Sequence, residues 1–499
     1  MDLDSFRRRI VNVLSSITVE PVMFLFMLGS FLQYSSLQQL LYYKVCMIEY
    51  NDTVICQNLS FYDTEESYVQ KQTSHWLILI NIALAFPTVV SSMFLGRWSD
   101  KVGRKMTMIT PPVGAIINGL VLTFSSWFIY SPVAWLFLGT ICLGLSGAYA
   151  TLTFSVFSYL GDVTKKEART MRYSILEAMT FLGSFLGLLT CGIVIDQLGF
   201  PAVFIYYIVC NICVIIYVLI CIKDSVNLGR IKYLNNATAS HDEISDQRSE
   251  NDEEQSRTNV CQELLKLDNV KESLVVIGRK RPFEHRAQLI MLIICLFVLQ
   301  LVGSGENDTF ILYVKKDPLA WSATLISYYS AVKNLLISFV LLLCLPLLHA
   351  SRIGYQDTVL IIIGVVMRMG AYTLLAFSRT TWMVFLVPLL ASTSAVPAAT
   401  SRSMMSKIVD QNEQGSLFAF MASLETLTVS LASAIFNALY PATLNILEGG
   451  FVFITMAILL IIPVILMCWI HELKTMEASY TKLIEGVNIV DEEVLENDL

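Results

Sequence analysis

Chemistry in this chain falls first to a few charged side chains set in long apolar runs: Glu177, Glu306, Asp308, Lys333, Arg368, Arg402 and Glu425. A charge placed in lipid is costly, so each needs an opposite charge or a polar cavity beside it. Burial moves proton exchange by a carboxyl group toward physiological pH. Glu177 and then Glu425 are therefore the candidates for proton coupling; the alternative for each is a structural ion pair between helices. Lys333, Arg368 and Arg402 are candidates for recognising an anion, with Glu306 and Asp308 nearby at one end of an apolar run. For Arg402 the alternative is anchoring at the membrane surface, and for Glu306 and Asp308 it is capping the wet end of a helix. The five histidines, His75, His241, His285, His349 and His471, lie at run ends, in loops or in the tail, so a proton relay must use carboxylates. No His/Ser/Asp constellation or metal-ligand spacing faces water. An enzyme, a metal site and a cofactor are not expected; the proton is the coupling ion.

These residues are positioned by apolar segments that dominate the composition. The chain has 499 residues, 55% apolar and 15% charged, where soluble domains carry about 25% charged. Its net charge of −7 leaves no basic footprint for nucleic acid. A soluble enzyme, a disordered chain and a nucleic-acid binder are excluded, and an all-α polytopic membrane protein in a lipid bilayer remains. Twelve spans are predicted, at 20–43, 76–96, 106–128, 133–160, 173–195, 201–222, 287–313, 324–347, 357–378, 382–401, 415–438 and 450–470. The first follows Arg7, Arg8 and Arg9 and reads as an uncleaved span rather than a signal peptide. The organisation is a tail at 1–19, a six-helix half at 20–222, a central loop at 223–286, a second half at 287–470 and a tail at 471–499.

Lys and Arg crowd one side: Arg97, Lys101, Arg104, Lys105, Lys165, Lys166, Arg169, Arg172, Arg352, Arg402 and Lys407, with both tails and the central loop. The positive-inside rule makes that side cytosolic, with both termini. The opposite loop at 44–75 carries sequons at Asn51 and Asn58, candidates for glycosylation. It also holds Cys46 and Cys56, which either pair or stay free where oxidation is permitted. Cys210 and Cys213 have CxxC spacing but sit mid-span and read as small buried hydrophobes. In the central loop, 240–257 reads as disordered, and Leu264 to Leu274 as either an interfacial or a short soluble helix. Tyr480-Thr481-Lys482-Leu483 has the form of an endolysosomal sorting signal, which would engage sorting adaptors.

Between the second and third spans stands Gly96-Arg97-Trp98-Ser99-Asp100-Lys101-Val102-Gly103-Arg104-Lys105. Gly103 permits a tight turn. Asp100 can accept from a helix N-terminus, and Arg104 offers a fork to a carboxylate. Together they can latch one half to the other when the cytosolic side is shut. The pattern G-x-x-x-D-[RK]-x-G-R-[RK] resembles the signature of the major facilitator superfamily. A worn copy at Ser351-Arg352-Ile353-Gly354-Tyr355-Gln356 supports duplicated halves.

Longer stretches resemble the solute carrier 46 family: Val19-Glu20-Pro21, Thr73-Ser74-His75-Trp76, Ile175-Leu176-Glu177-Ala178, Asp317-Pro318-Leu319-Ala320-Trp321, Arg402 to Lys407, Glu413 to Phe418 and Ile435 to Asn445. The resemblance implies a transporter of the major facilitator fold that moves a small organic anion with protons, by alternating access around a cavity lined by spans 1, 4, 5, 7, 8, 10 and 11. It implies a proton-coupling role for Glu177 and a proton- and substrate-binding role for Arg402. The folate branch has Asp where this chain has Ala148, His at Gly303 and Cys at Ala320. That last change removes the usual partner of the first-loop cysteine. Ser423-Leu424-Glu425-Thr426-Leu427 looks like the lysosomal branch, which is associated with muropeptides, cyclic dinucleotides and related catabolites. The expected function is proton-coupled transport of such anions into the cytosol from the lysosome or from outside. The alternatives are a plasma-membrane folate importer and a transporter-like sensor.

Overall fold

The computed structural model describes residues 18–57, 63–223, 278–279, 284–316, 318–345, 356–444 and 446–476. Asn58, most of the central loop, the worn motif copy at 351–355 and the segment 480–483 lie outside the described residues.

The described chain is helical, with no strand among the described residues. The first half comprises α1 (Glu20–Tyr50), α2 (Asp63–Val102), α3 (Arg104–Trp127), α4 (Trp135–Leu145), α5 (Ala148–Val163), α6 (Arg169–Leu198) and α7 (Phe200–Cys221). The second comprises α8 (His285–Lys315), α9 (Ala323–Phe339), α10 (Asp357–Ala376), α11 (Thr381–Ala391), α12 (Val396–Ile408), α13 (Gln414–Ala442) and α14 (Phe451–Leu459). Among the described residues, 11 segments are long and apolar enough to cross a membrane, the last running Phe451–Met476. α1 is a further helix of 31 residues. Gln33, Tyr34, Ser35, Ser36, Gln38 and Gln39 lower its hydropathy without shortening it.

Hydropathy marks where lipid ends, but helical hydrogen bonding continues past that point. Thus α1 runs seven residues beyond its expected end at 43, and α2 starts 13 residues before 76, through the polar stretch 63–75. The expected loop at 44–75 is therefore largely two helix ends with a short helix, Thr53–Gln57, between them. It is stapled by a Cys46–Cys56 disulfide with Cα atoms 5.8 Å apart. Asn51 caps α1 in the left-handed conformation, φ 50°, and is exposed.

Each half has its own apolar core. Met23, Phe154, Tyr173 and Tyr207 lie in the first half's core, and Leu296, Phe310, Tyr372 and Phe436 in that of the second. Outward positions are apolar too: Phe86 is 74% and Ile220 78% exposed, which suits contact with lipid rather than water. One polar group fixes the outer corner of the first half. Lys44 is fully buried and donates to the carbonyls of Ser125, Phe128 and Ile129 and to Ser131 Oγ. It thereby satisfies carbonyls left open at the C-terminus of α3.

The fourth membrane segment of each half is interrupted: α4/α5 at 146–147, and α11/α12 at 392–395. Breaks at matching places of two halves point to a binding site in transporters. Gly147 makes the first break with φ 80°, where a Cβ would stand 1.8 Å from Thr151 Oγ1. Pro397 starts α12 after the second. Gly147→Ala is expected to lower detergent thermal stability by about 1–2 kcal/mol or more. Gly192→Ala, whose Cβ meets nothing within 4 Å, should not. Equal melting of the two variants would show that the first break does not depend on glycine.

Candidate functional site

The second break sets the register of α12 so that Arg402, two turns in, enters the interface between the halves. Its Nη1 donates to Glu177 Oε2 on α6 at 2.7 Å, and its Nη2 to Glu425 Oε1 on α13 at 2.8 Å. Its guanidinium carbon lies 5.0 Å from the ring centroid of Phe157 on α5, within cation–π range. Tyr149, also on α5, is in electrostatic reach of all three charges. Arg402 is thus a fork across the two halves, with one tine on the buried Glu177 and the other on the half-buried Glu425. Ionised, the group carries one surplus negative charge.

A second buried cluster lies wholly in the second half, on α8, α9 and α10. Glu306 accepts from Lys333 Nζ and, at 2.8 Å, from Tyr372 Oη. Arg368 Nη2 stands 3.8 Å from Glu306, and Arg368 Nε donates to Tyr372 Oη at 2.9 Å. The guanidinium occupies a notch at Gly303: a Cβ there would be 2.7 Å from Arg368 Nη2. One turn before Lys333, Tyr329 stacks on Phe310 at 4.5 Å, and its buried hydroxyl has no partner. Ionised, this cluster carries one surplus positive charge.

Of the candidate charges, the structure joins Glu177, Arg402 and Glu425 in one group and Glu306, Lys333 and Arg368 in another. It places Asp308 apart from both, with Asn437 Nδ2 at 3.4 Å on the far side of α8. Residues two apart on a helix point roughly 200° apart, so nearness in sequence misleads here. Tyr372, Tyr149 and Phe157 were missed. Tyr372 alone had a signal, standing four residues after Arg368 on one helical face.

The Gly96–Lys105 motif lies at the inner end of the molecule, where α2 turns into α3. Asp100 accepts from the backbone N–H groups of Gly415 and Ser416 at 2.8 and 2.9 Å and from Ser416 Oγ at 2.8 Å. It caps α13, where a helix favours negative charge. Arg104 steadies it at 2.6 Å and reaches Asp162 at 3.0 Å. Gly103, φ 115°, makes the turn between α2 and α3. At Gly96 a Cβ would fall 2.1 Å from that of Ala419, so α2 and α13 meet where no larger side chain fits. Lys105 stays within the first half, donating to the Leu219 carbonyl at the end of α7. Beside this latch Arg169 donates to Ser406, Thr170 bonds Ser403 at 2.9 Å and Lys407 donates to Thr170 at 2.9 Å. The inner ends of the two halves are thus tied shut.

Comparison with known proteins agrees with this architecture. A family model described as Major Facilitator Superfamily matches residues 21–433. The chain is 28% identical over 462 residues to the chicken lysosomal proton-coupled steroid conjugate and bile acid symporter, covering 91% of this chain and 93% of that one. It is 32% identical to the mouse protein of the same name, covering 83% and 84%. The bovine proton-coupled folate transporter is 29% identical, with 91% and 92% covered. Among solved structures, the human organic anion transporter MFSD10 aligns with a TM-score of 0.65 at 15% identity, covering 90% of this chain and 98% of that one. The Escherichia coli fucose:proton symporter aligns with a TM-score of 0.59 at 11% identity, covering 90% and 97%.

The latch makes a direct prediction. A hydrogen bond to a charged group contributes about 1.5–3 kcal/mol, so Asp100→Asn should open the inner face enough to speed labelling roughly tenfold. The readout is maleimide modification of a cysteine at the buried gate position, Ser403→Cys, in a chain whose exposed cysteines have been replaced. An unchanged rate would mean that Asp100 does not hold the gate.

Proposed function

The chain belongs to the major facilitator superfamily and, within it, to the solute carrier 46 family, and on that premise we propose that it is a proton-coupled carrier of small organic anions. The observation that carries the reading is the Arg402 fork on Glu177 and Glu425. Glu177 rides on the first half, and Arg402 and Glu425 on the second. A proton arriving at Glu177 cancels its charge and frees that tine of Arg402, which loosens the contact between the halves. Release of the proton to the opposite side restores it. Protonation and opening are thereby linked at one atom pair, as alternating access with a coupling ion requires. Arg402, Lys333 and Arg368 supply the positive charge that recognises the anion, with Glu306 and Tyr372 holding the last two in place. Asp308 lies nearer the outer opening.

The Lys and Arg asymmetry supports a cytosolic inner face, with both tails and the central loop on that side. Entry from the acidic or outer side then drives anions into the cytosol. Each pH unit contributes about 1.4 kcal/mol per proton. The membrane is that of lysosomes or endosomes, or the plasma membrane. Steroid conjugates, bile acids and folates are the solutes in the names of its relatives. Muropeptides, cyclic dinucleotides and related catabolites are those of the branch that the Glu425 segment resembles. The filled notch at Gly303 favours a non-folate substrate, because the guanidinium of Arg368 occupies the place where the folate branch has a histidine side chain.

The test is uptake and counterflow by the purified chain in liposomes, with an acid or neutral exterior and a panel of these anions. Acid-stimulated uptake with trans-stimulation is expected; a sensor would show neither. Glu177→Gln should abolish acid stimulation while exchange at equal pH partly survives. If that variant keeps the full response to acid, Glu177 is not the coupling group.

A further inference from the structure

The two buried clusters carry opposite surplus charges. Glu177, Arg402 and Glu425 sum to one negative charge, and Glu306, Lys333 and Arg368 to one positive. The groups that face them do not alter this balance. Tyr149 faces the first cluster and Tyr372 and Tyr329 the second, and all three are phenols. Asp308 bonds to exposed Asn437 instead. At the inner gate Asp100 and Asp162 are matched by Arg104 and Arg169, Asp357 by Lys407 and Glu20 by Arg172. An unbalanced charge in a low-dielectric interior is strongly unfavourable. The cheapest occupant of the first cluster is therefore a single cation small enough to reach an oxygen already engaged by arginine, and a proton fits. The matching occupant of the second is a group with one negative charge, held by Lys333 and Arg368.

We infer that the carrier moves one proton with one singly charged anion, so that the empty and the loaded forms both cross without net charge. The ligand class is a monoanion: a molecule with a single carboxylate, sulfonate or sulfate ester. A dianion would leave one negative charge uncompensated. Lys333 and Arg368 sit in the half opposite Glu177, so anion and proton bind at separate places and are linked by the requirement that the interior be neutral before the halves rock. This inference rests on the transport reading above and adds its stoichiometry and the charge of its substrate.

The experiment uses the full chain in liposomes, acid outside and neutral inside, with potassium and valinomycin setting the membrane potential. The probes are radiolabelled taurocholate, a monoanion, and methotrexate, a dianion, with an entrapped pH dye counting protons. For taurocholate, uptake should follow the pH gradient, be indifferent to potential and bring in one proton per anion. If one net charge crossed per cycle, accumulation would shift roughly 50-fold per 100 mV, and such a shift overturns the inference. Equal transport of methotrexate, still indifferent to potential, overturns it as well. Glu425→Gln leaves the first cluster neutral without a proton. Its taurocholate uptake should lose acid stimulation and become sensitive to potential; persistence of acid-driven, potential-independent uptake in that variant counts against the inference. Absence of acid-driven uptake of either probe at every potential would bring down the transport reading itself. Acid-driven uptake that moves with potential brings down only the charge balance.

Discussion

The architecture turns on a charge that cannot be left alone. Arg402 lies buried between two halves of a membrane protein. A guanidinium there is tolerable only because its fork reaches carboxylates on both sides. The interrupted segment that sets the start of α12, the ring of Phe157 under the guanidinium and the placement of Glu177 on α6 all serve that geometry. The interface between the halves also holds the Asp100 cap, the Arg169–Ser406 bond, aromatic packing of Phe157 and Tyr173 on Phe418, an apolar cluster around Ala178 and Leu341, and hydroxyl pairs such as Ser92 with Ser423. Within that interface the triad is the contact whose carboxylates can take up a proton.

α13 connects this triad to the inner latch. Its first turn is capped by Asp100 from the other half, and Glu425, further along the same helix, holds Arg402. A rigid helix gripped at two depths transmits a change at one grip to the other. Without the Glu177 contact the Arg402–Glu425 pair would tie only elements of the second half, while the Asp100 cap would still join α13 to the first. The second cluster touches neither grip. It sits on α8, α9 and α10 of one half and rides with that half whichever way the molecule faces.

Much of this was legible in the chain itself. Apolar runs of membrane length gave the segments, because lipid forces a helix to satisfy its own backbone. The Asp100 motif gave the latch, because a carboxylate at that spacing has a helix terminus as its natural partner. The resemblance to one transporter family pointed to Glu177 and Arg402. Helix ends were not legible, since polar turns outside lipid look like loop in composition, as at 63–75. The pairing of charges was also hidden. Glu177 and Arg402 are 225 positions apart, and whether either was a surface anchor or an interior fork depended on the fold. Asp308 shows the converse: two residues from Glu306, it faces another way.

Lys44 binds the end of α3 and the 128–131 turn to α1 through four acceptors. These bonds tie the corner to α1, so it is expected to move with the first half as a lever arm. A probe fixed to the turn would sense rotation of the entire half rather than the wandering of a loop, making this short stretch a natural place from which to watch the carrier turn over.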